Sequence, residues 1–336
     1  MSDHLESSAH VPNSPRRSSE IAQPPRVVFK FGGTTVGTPD RFRTVMSVLR
    51  EAAETGRVVA IVSALSQVSR QLSGAIEAFA TQSDGTAVVA DLLQTLRDRH
   101  RSQAEAVLSD ERADEYTALM NEHLHSLQQR FAEVERFGFS PAARDAVLAT
   151  GEQLSVPMVA LALRDAGFSA PHCDATRLVV TDDTFGEANV DGAATNQRVR
   201  AWYRGLSSEA VPVVAGFIGA TAGGHTTTLG FEGSDYSASL FARILGADCA
   251  TRYTDVDGLY TDDPSVHEDA ERLDRLSMEE AFAMTESGDL GMHPKTLRPL
   301  ADTDIPMQVR SIDAPEQSGT AILPEGVSSD VLWPAP

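Results

Sequence analysis

The chain has 336 residues, 41% of them hydrophobic, enough to bury a sizeable core in one large α/β unit of two lobes. Its 28 basic residues against 48 acidic ones leave a formal charge of −20, which repels nucleic acid and anionic membranes, so neither is expected as a partner. Only two lysines occur, Lys30 and Lys295. The two cysteines, Cys173 and Cys249, lie too far apart in sequence to form a metal or redox motif and read as small buried hydrophobes of a reducing cytoplasm.

Residues 1–25 are rich in Ser, Pro and His, lack the apolar segment of a secretory signal, and read as a disordered tail. No apolar run approaches the roughly 20 residues that span a bilayer. The run RVVFKF ends at Gly32-Gly33-Thr34 and predicts a buried strand entering a glycine turn. Helical periodicity follows over 40–55, with Asp40 as the expected cap, and RVVAIVSAL (57–65) predicts a second buried strand. β-Branched residues bunched without alternation point to a parallel sheet covered on both faces. Residues 86–136 predict one long or two shorter helices.

Gly151-Glu152 opens another helix, ending at Gly167. LVVTDD, a polar loop, the strand and turn VPVVAGFIGAT, a Gly/Thr stretch (221–235), the helix SASLFARILGAD and the strand ATRYTDV come next. Residues after about 323 read as an irregular tail. The alternation of strand and helix, without an internal repeat, predicts a doubly wound three-layer αβα sandwich with a mainly parallel central sheet.

Four segments carry candidate chemistry. In Lys30-Phe31-Gly32-Gly33-Thr34, glycines at a strand end let backbone N–H groups approach a phosphate, and a lysine there offsets charge on a transferred phosphoryl group. A strand followed by two glycines is equally an ordinary turn, and the Walker pattern is absent. In Gly233-Ser234-Asp235-Tyr236, hydroxyls and one acid precede a helix, whose start suits an anion, although Asp235 also suits a plain N-cap. Thr254-Asp255-Val256-Asp257-Gly258-Leu259-Tyr260-Thr261-Asp262-Asp263-Pro264 is an acidic turn after a strand, and His293-Pro294-Lys295-Thr296 marks a helix start.

Taken in order, KFGGTTV, IVSALSQVSRQL, Gly151-Glu152, GFIGAT, TTTLG, GSDYSA, TDVDGLYTDDP and HPKT resemble the aspartokinase catalytic domain of the amino-acid kinase family over roughly residues 26–321. The resemblance implies transfer of the γ-phosphate of ATP to the side-chain carboxylate of L-aspartate, giving 4-phospho-L-aspartate, the first step toward lysine, threonine and methionine. It implies an amino-acid-binding and dimer-forming lobe over about 26–210 and an ATP lobe over about 211–323, with 324–336 as the tail. Carried over by motif, Lys30 stabilises the transferring group and Asp235 orients the catalytic lysines. Gly32 and Gly33 line the phosphate path. Thr34, Ser69, Glu152, Phe231 and Ser234 face the amino acid, Glu152 on its amino group. Thr254, Asp255, Tyr260 and Asp263 face the nucleotide, and Mg²⁺ bridges the phosphates. A homodimer is implied, with a partner kinase subunit as another possibility.

Four features depart from the family pattern. Phe231 and Glu232 stand in the segment that elsewhere reads GRGGSD or GRNGSD, where the arginine grips the substrate carboxylate. Ser265 ends the segment that elsewhere reads DPR. Leu290 occupies the place of a second phosphate-handling lysine. The regulatory domains that follow the catalytic domain in most relatives are not expected from this polypeptide. Lys295 and Arg252 are the candidates to refill the phosphate site; His267 and His293 read as structural. Two other readings therefore stay open: a non-catalytic paralogue that binds nucleotide or partners an active subunit, and a kinase with another amino-acid acceptor.

Overall fold

The computed structural model describes residues 24–81, 85–262, 266–267, 269–287 and 290–334. In chain order these form β1 (Arg26–Phe31), α1 (Gly33–Val36), α2 (Pro39–Thr55), β2 (Arg57–Val62), α3 (Val68–Thr81), α4 (Gly85–Val107), α5 (Asp110–Phe137), α6 (Pro141–Leu148) and α7 (Thr150–Asp165). There follow β3 (His172–Cys173), β4 (Val180–Thr181), α8 (Gly192–Arg204), β5 (Val213–Ala215), β6 (Ile218–Thr221), β7 (Thr226–Thr228), α9 (Gly233–Leu245) and β8 (Cys249–Thr254). The chain continues through β9 (Leu259–Tyr260), β10 (Arg272–Leu273), β11 (Arg275–Ser277), α10 (Met278–Ser287), α11 (Pro294–Leu297), β12 (Met307–Ser311) and β13 (Thr320–Leu323).

Successive residues of a strand point to opposite faces. Val27, Val28, Phe29 and Phe31 are nonetheless all fully buried, as are Val59 through Val62, so helices must cover both faces of the sheet they build. The result is an α/β/α sandwich whose eight-stranded sheet runs β11-β13-β12-β8-β1-β2-β5-β3. All neighbours are parallel except β12 and β13. A three-stranded sheet, β4-β6-β7, and the pair β9-β10 lie outside it.

The expected helical stretch over 86–136 is two helices. Ser109 breaks it: its hydroxyl accepts from the Arg112 N–H and donates to Asp165, capping α5. For α2 the cap position is Thr38, followed by Pro39, and Asp40 sits in the first turn beside Arg43, so the expectation of Asp40 as cap is off by two residues. The expectation that no apolar run reaches spanning length also needs correcting. Within the 25-residue helical stretch Pro141–Asp165, a window of 18 residues reaches a mean hydropathy of 1.5. Every residue from Leu154 to Leu163 is buried, against α5 and β5 among others, so core packing accounts for that hydropathy.

Among the described residues beyond Leu323, Ser329–Val331 form a short 3₁₀ turn within the stretch expected to be irregular. Trp333 lies edge-on to Phe29 at 6.1 Å and against the place a Gly56 side chain would occupy. Phe29, Phe31 and Tyr253 complete the aromatic cluster, with Phe31 and Tyr253 stacked at 5.2 Å. The expected tail over 1–25 lies outside the described residues except for Pro24 and Pro25. Both cysteines are buried and free.

Candidate active site

β1 sits where the sheet's strand order turns. Its helical crossover leads to β2 on one side, while β8 joins later on the other. Such a point leaves a crevice at the carboxyl ends of the strands. Here that crevice is a cleft of about 550 Å³, lined by the turn after β1, the loop after β2, Glu152 of α7, residues 230–235 at the start of α9, and the end of β8.

The turn after β1 is closely packed. A Cβ on Gly33 would stand 2.6 Å from the Ala64 carbonyl oxygen, so only glycine lets these two loops meet. The Thr35 and Val36 N–H groups both donate to the Gly32 carbonyl, and Ser66 N–H donates to that of Gly33 at 3.0 Å. These bonds fix the turn against the loop after β2.

Lys30 points into the cleft and is almost wholly buried. Its Nζ donates to Asp235 Oδ2 at 2.9 Å. Arg252 approaches the other carboxylate oxygen, with Nε 3.3 Å from Oδ1. Burial would raise the Asp235 carboxyl, but the charges of Arg252 and then Lys30 outweigh it and hold the group below the usual carboxylate range. Arg252 also lies 3.6 Å from Glu232 Oε1. The other oxygen of Glu232 accepts from His293 N–H at 2.6 Å and Thr296 Oγ1 at 3.4 Å. Glu232 holds this position in the left-handed region, at φ 53°, a conformation that favours glycine.

Glu152 faces the cleft from the first turn of α7. Its Oε1 accepts from Ala64 N–H at 3.1 Å, while Oε2 has no hydrogen-bond partner among the described residues. Burial pushes this carboxyl up to about 8, backbone hydrogen bonding, chiefly from Ala64, offsetting only part of that effect.

Thr34, Ser69, Ser234, Gly32, Gly33, Thr254 and Asp255 also line the cleft, so three of the four candidate segments converge there and His293–Thr296 does not. Phe231 forms the lip, 76% exposed and edge-on to His293 at 6.1 Å. Tyr260 is not among the lining residues; its hydroxyl donates to Asp257 at 2.6 Å. Asp263 and Ser265 lie outside the described residues. Lys295 does not refill the phosphate site: its Nζ donates to the Leu229 carbonyl at 2.8 Å and rests on the Tyr236 ring, away from the cleft lining. Leu290 is a core residue, 3% exposed. His293 caps α11, accepting from Lys295 N–H, in keeping with a structural role.

Sequence reasoning missed Arg70. It follows Ser69 on α3, lines the cleft, and has its Nη1 on Gln67 Oε1 at 3.1 Å. Its position beside Ser69 was the available signal. Among the described residues no group of three or more His, Cys, Asp or Glu side chains is arranged to hold a metal ion.

The chain matches the amino acid kinase family over residues 25–311. It is 32% identical to lysine-sensitive aspartokinase 3 of Escherichia coli over 299 residues, which are 88% of this chain and 64% of that protein. It is 29% identical to a chloroplastic bifunctional aspartokinase/homoserine dehydrogenase of Arabidopsis thaliana, covering 88% of this chain and 32% of that protein. Among solved structures, E. coli aspartokinase III in complex with aspartate and ADP superposes with a TM-score of 0.81 at 30% identity, over 89% of this chain and 64% of that one. The chain therefore spans less than two thirds of the length of each of these relatives.

Proposed function

Since the chain belongs to the amino acid kinase family, we propose that it transfers the γ-phosphoryl group of ATP to the side-chain carboxylate of L-aspartate, giving 4-phospho-L-aspartate and ADP. The observation that carries this reading is the buried Lys30–Asp235 pair beside the glycine turn, with the half-satisfied Glu152 carboxyl lining the same cleft. Relatives named as aspartokinases over most of the chain support it.

In this reading a carboxylate oxygen of the acceptor attacks phosphorus. The bond from phosphorus to the β,γ-bridging oxygen breaks, and its electron pair leaves with ADP. No proton changes hands, so the protein's task is positioning and charge stabilisation. Lys30 takes an oxygen of the transferring group, and Asp235 holds Lys30 in place. Gly32, Gly33 and Thr34 offer the phosphate path. Glu152 Oε2 receives the acceptor's ammonium, with Ser69 and Ser234 nearby. Arg70 is the cation available to the acceptor's other carboxylate, since Phe231 cannot bind an anion. Thr254 and Asp255 face the nucleotide.

The residues present fit Mg²⁺ as a companion of the nucleotide: of the cleft's carboxylates, Asp235 and Glu232 are paired with Lys30 and Arg252, and Glu152 is buried, which leaves the partly exposed Asp255 to face the ion. When bound, Mg²⁺ neutralises charge on the phosphate oxygens. A cytoplasmic homodimer, joined through the 26–210 half, belongs to the same proposal.

Two particulars keep other readings in play. Leu290 buried in the core and Phe231 at the lip leave two family cations unreplaced in place, which favours a nucleotide-binding partner of an active subunit. Glu232 in the cleft favours an acceptor with a cationic or apolar group. The deciding experiment is hydroxylamine trapping of acyl phosphate with the pure chain, ATP, Mg²⁺ and a panel of amino acids. Product with aspartate is the expected result. Product only with another acceptor would replace aspartate, and none with any acceptor, in protein that binds ATP, would make the chain a binding partner.

A further inference from the structure

Arg252, which the sequence offers only as a candidate to refill the phosphate site, lines the cleft beside Lys30. It is the residue paired with Lys30 in the parallel register of β1 and β8, so the two cations stand side by side on neighbouring strands. Its side chain is 15% exposed. Two carboxylates approach it, but neither completes its hydrogen bonding. Nε and Nη1 are buried without a hydrogen-bond partner among the described residues, as is the facing Asp235 Oδ1. A buried donor left unmade costs about 1–3 kcal/mol. A guanidinium with unused donors beside a phosphate-path lysine is therefore built to receive an oxyanion.

Glu232 accounts for how the guanidinium is aimed. One of its oxygens is fixed by His293 N–H and Thr296, which leaves the other facing Arg252. A glutamate at φ 53° keeps a backbone conformation that costs it energy, and its fixed carboxylate is what that conformation supplies.

We propose that Arg252 is a second phosphate-binding cation of the transfer site, donating to an oxygen of the γ-phosphoryl group beside Lys30, with Glu232 as its positioning residue. This rests on the phosphotransferase reading above. The guanidinium forms and breaks no covalent bond; it stabilises charge on oxygens that Lys30 reaches from the next strand.

The test is calorimetric binding of ATP and ADP, each with Mg²⁺, to the full chain and to Arg252→Met, Arg252→Lys and Glu232→Gln, together with acyl-phosphate turnover. Arg252→Met is expected to weaken ATP about tenfold while leaving ADP within about threefold, and to lower kcat about 10²-fold, the usual loss for one transition-state donor. Arg252→Lys is expected to recover part of kcat. Glu232→Gln is expected to lower kcat with little change in the KM for ATP. Equal ATP affinity and equal kcat in Arg252→Met overturn the proposal. A rise only in the acceptor's KM overturns it in favour of a carboxylate contact. If Arg252→Met loses ADP as well, Arg252→Lys decides: lowered kcat at unchanged ADP affinity supports the role, and unchanged kcat overturns it. Wild-type protein that binds no ATP fails the phosphotransferase reading itself, a result distinct from these.

Discussion

Glu152→Gln tests whether the cleft is as dry on the acceptor side as its packing implies. The wild-type carboxyl titrates at about 8 in the folded chain against an ordinary 4.5. Because the folded pKa is raised, the folded state holds a proton that the unfolded chain has already released between those values. Stability from this group is full below about 4.5 and is lost as pH rises toward about 8. At about 1.4 kcal/mol per pH unit, the interval from pH 5.5 to 8 should cost the wild type about 3 kcal/mol through this one group. Glutamine keeps the shape and cannot ionise, so Glu152→Gln should gain stability relative to wild type by that amount across the interval. Urea melts of both proteins at pH 5.5, 6.5, 7.5 and 8 measure it. Parallel stability curves would refute the reasoning, because they would mean that the carboxyl ionises at its ordinary value. The same protonation should appear in binding. An acceptor whose ammonium needs the carboxylate must expel the proton, so its affinity should improve as pH rises toward 8, and that trend should vanish in Glu152→Gln.

Lys30→Ala should lower turnover by about 10²–10³-fold or more, as for a lost transition-state donor. It should stay folded by circular dichroism, since Arg252 still neutralises Asp235. Asp235→Asn leaves Lys30 and Arg252 adjacent and buried without that carboxylate, and should cost about 3–5 kcal/mol in a denaturant melt. Gly33→Ala forces a methyl to 2.6 Å from the Ala64 oxygen; the loops must part, at about 1–3 kcal/mol, and ATP binding measured by calorimetry should fall with stability. Trp333→Ala removes a ring packed on Phe29 and should cost about 3–5 kcal/mol, an effect that a loose tail would not show.

The elements legible in the sequence are those whose burial is written into consecutive residues. RVVFKF and RVVAIV are apolar on both faces because helices cover both, and no other local structure explains six such residues ending at glycine. The strands that escaped notice are two to five residues long or carry polar side chains inward. MQVRS became β12 although Gln308 and Arg310 look like surface residues. Their N–H groups donate to the carbonyl oxygens of Trp333, and for Arg310 of Gln317 and Pro334 as well, while the Gln308 amide oxygen accepts from Cys249 and Thr251, partners 7 to 59 positions away. The site followed the same division. Motif glycines and hydroxyls at strand ends could be assigned to the cleft, because the doubly wound topology brings those ends together. What Lys295 touches could not, since its helix start turns it toward Tyr236. The pairing of Arg252 with Glu232 joins residues 20 positions apart through a left-handed glutamate, a conformation that the sequence pattern argues against.

The charges lining the cleft set how it can take a nucleotide. Three cations, Lys30, Arg70 and Arg252, face four carboxyl groups, Glu152, Glu232, Asp235 and Asp255. Burial keeps Glu152 protonated up to about pH 8, so near neutrality the balance is three against three. A free triphosphate brings several negative charges into a space with no positive excess to meet them. On the phosphotransferase reading it must therefore arrive neutralised by its own Mg²⁺, and it meets Arg252 through the guanidinium donors that Glu232 and Asp235 leave unused. Glu232, fixed through His293 and Thr296, holds the guanidinium in place for that contact.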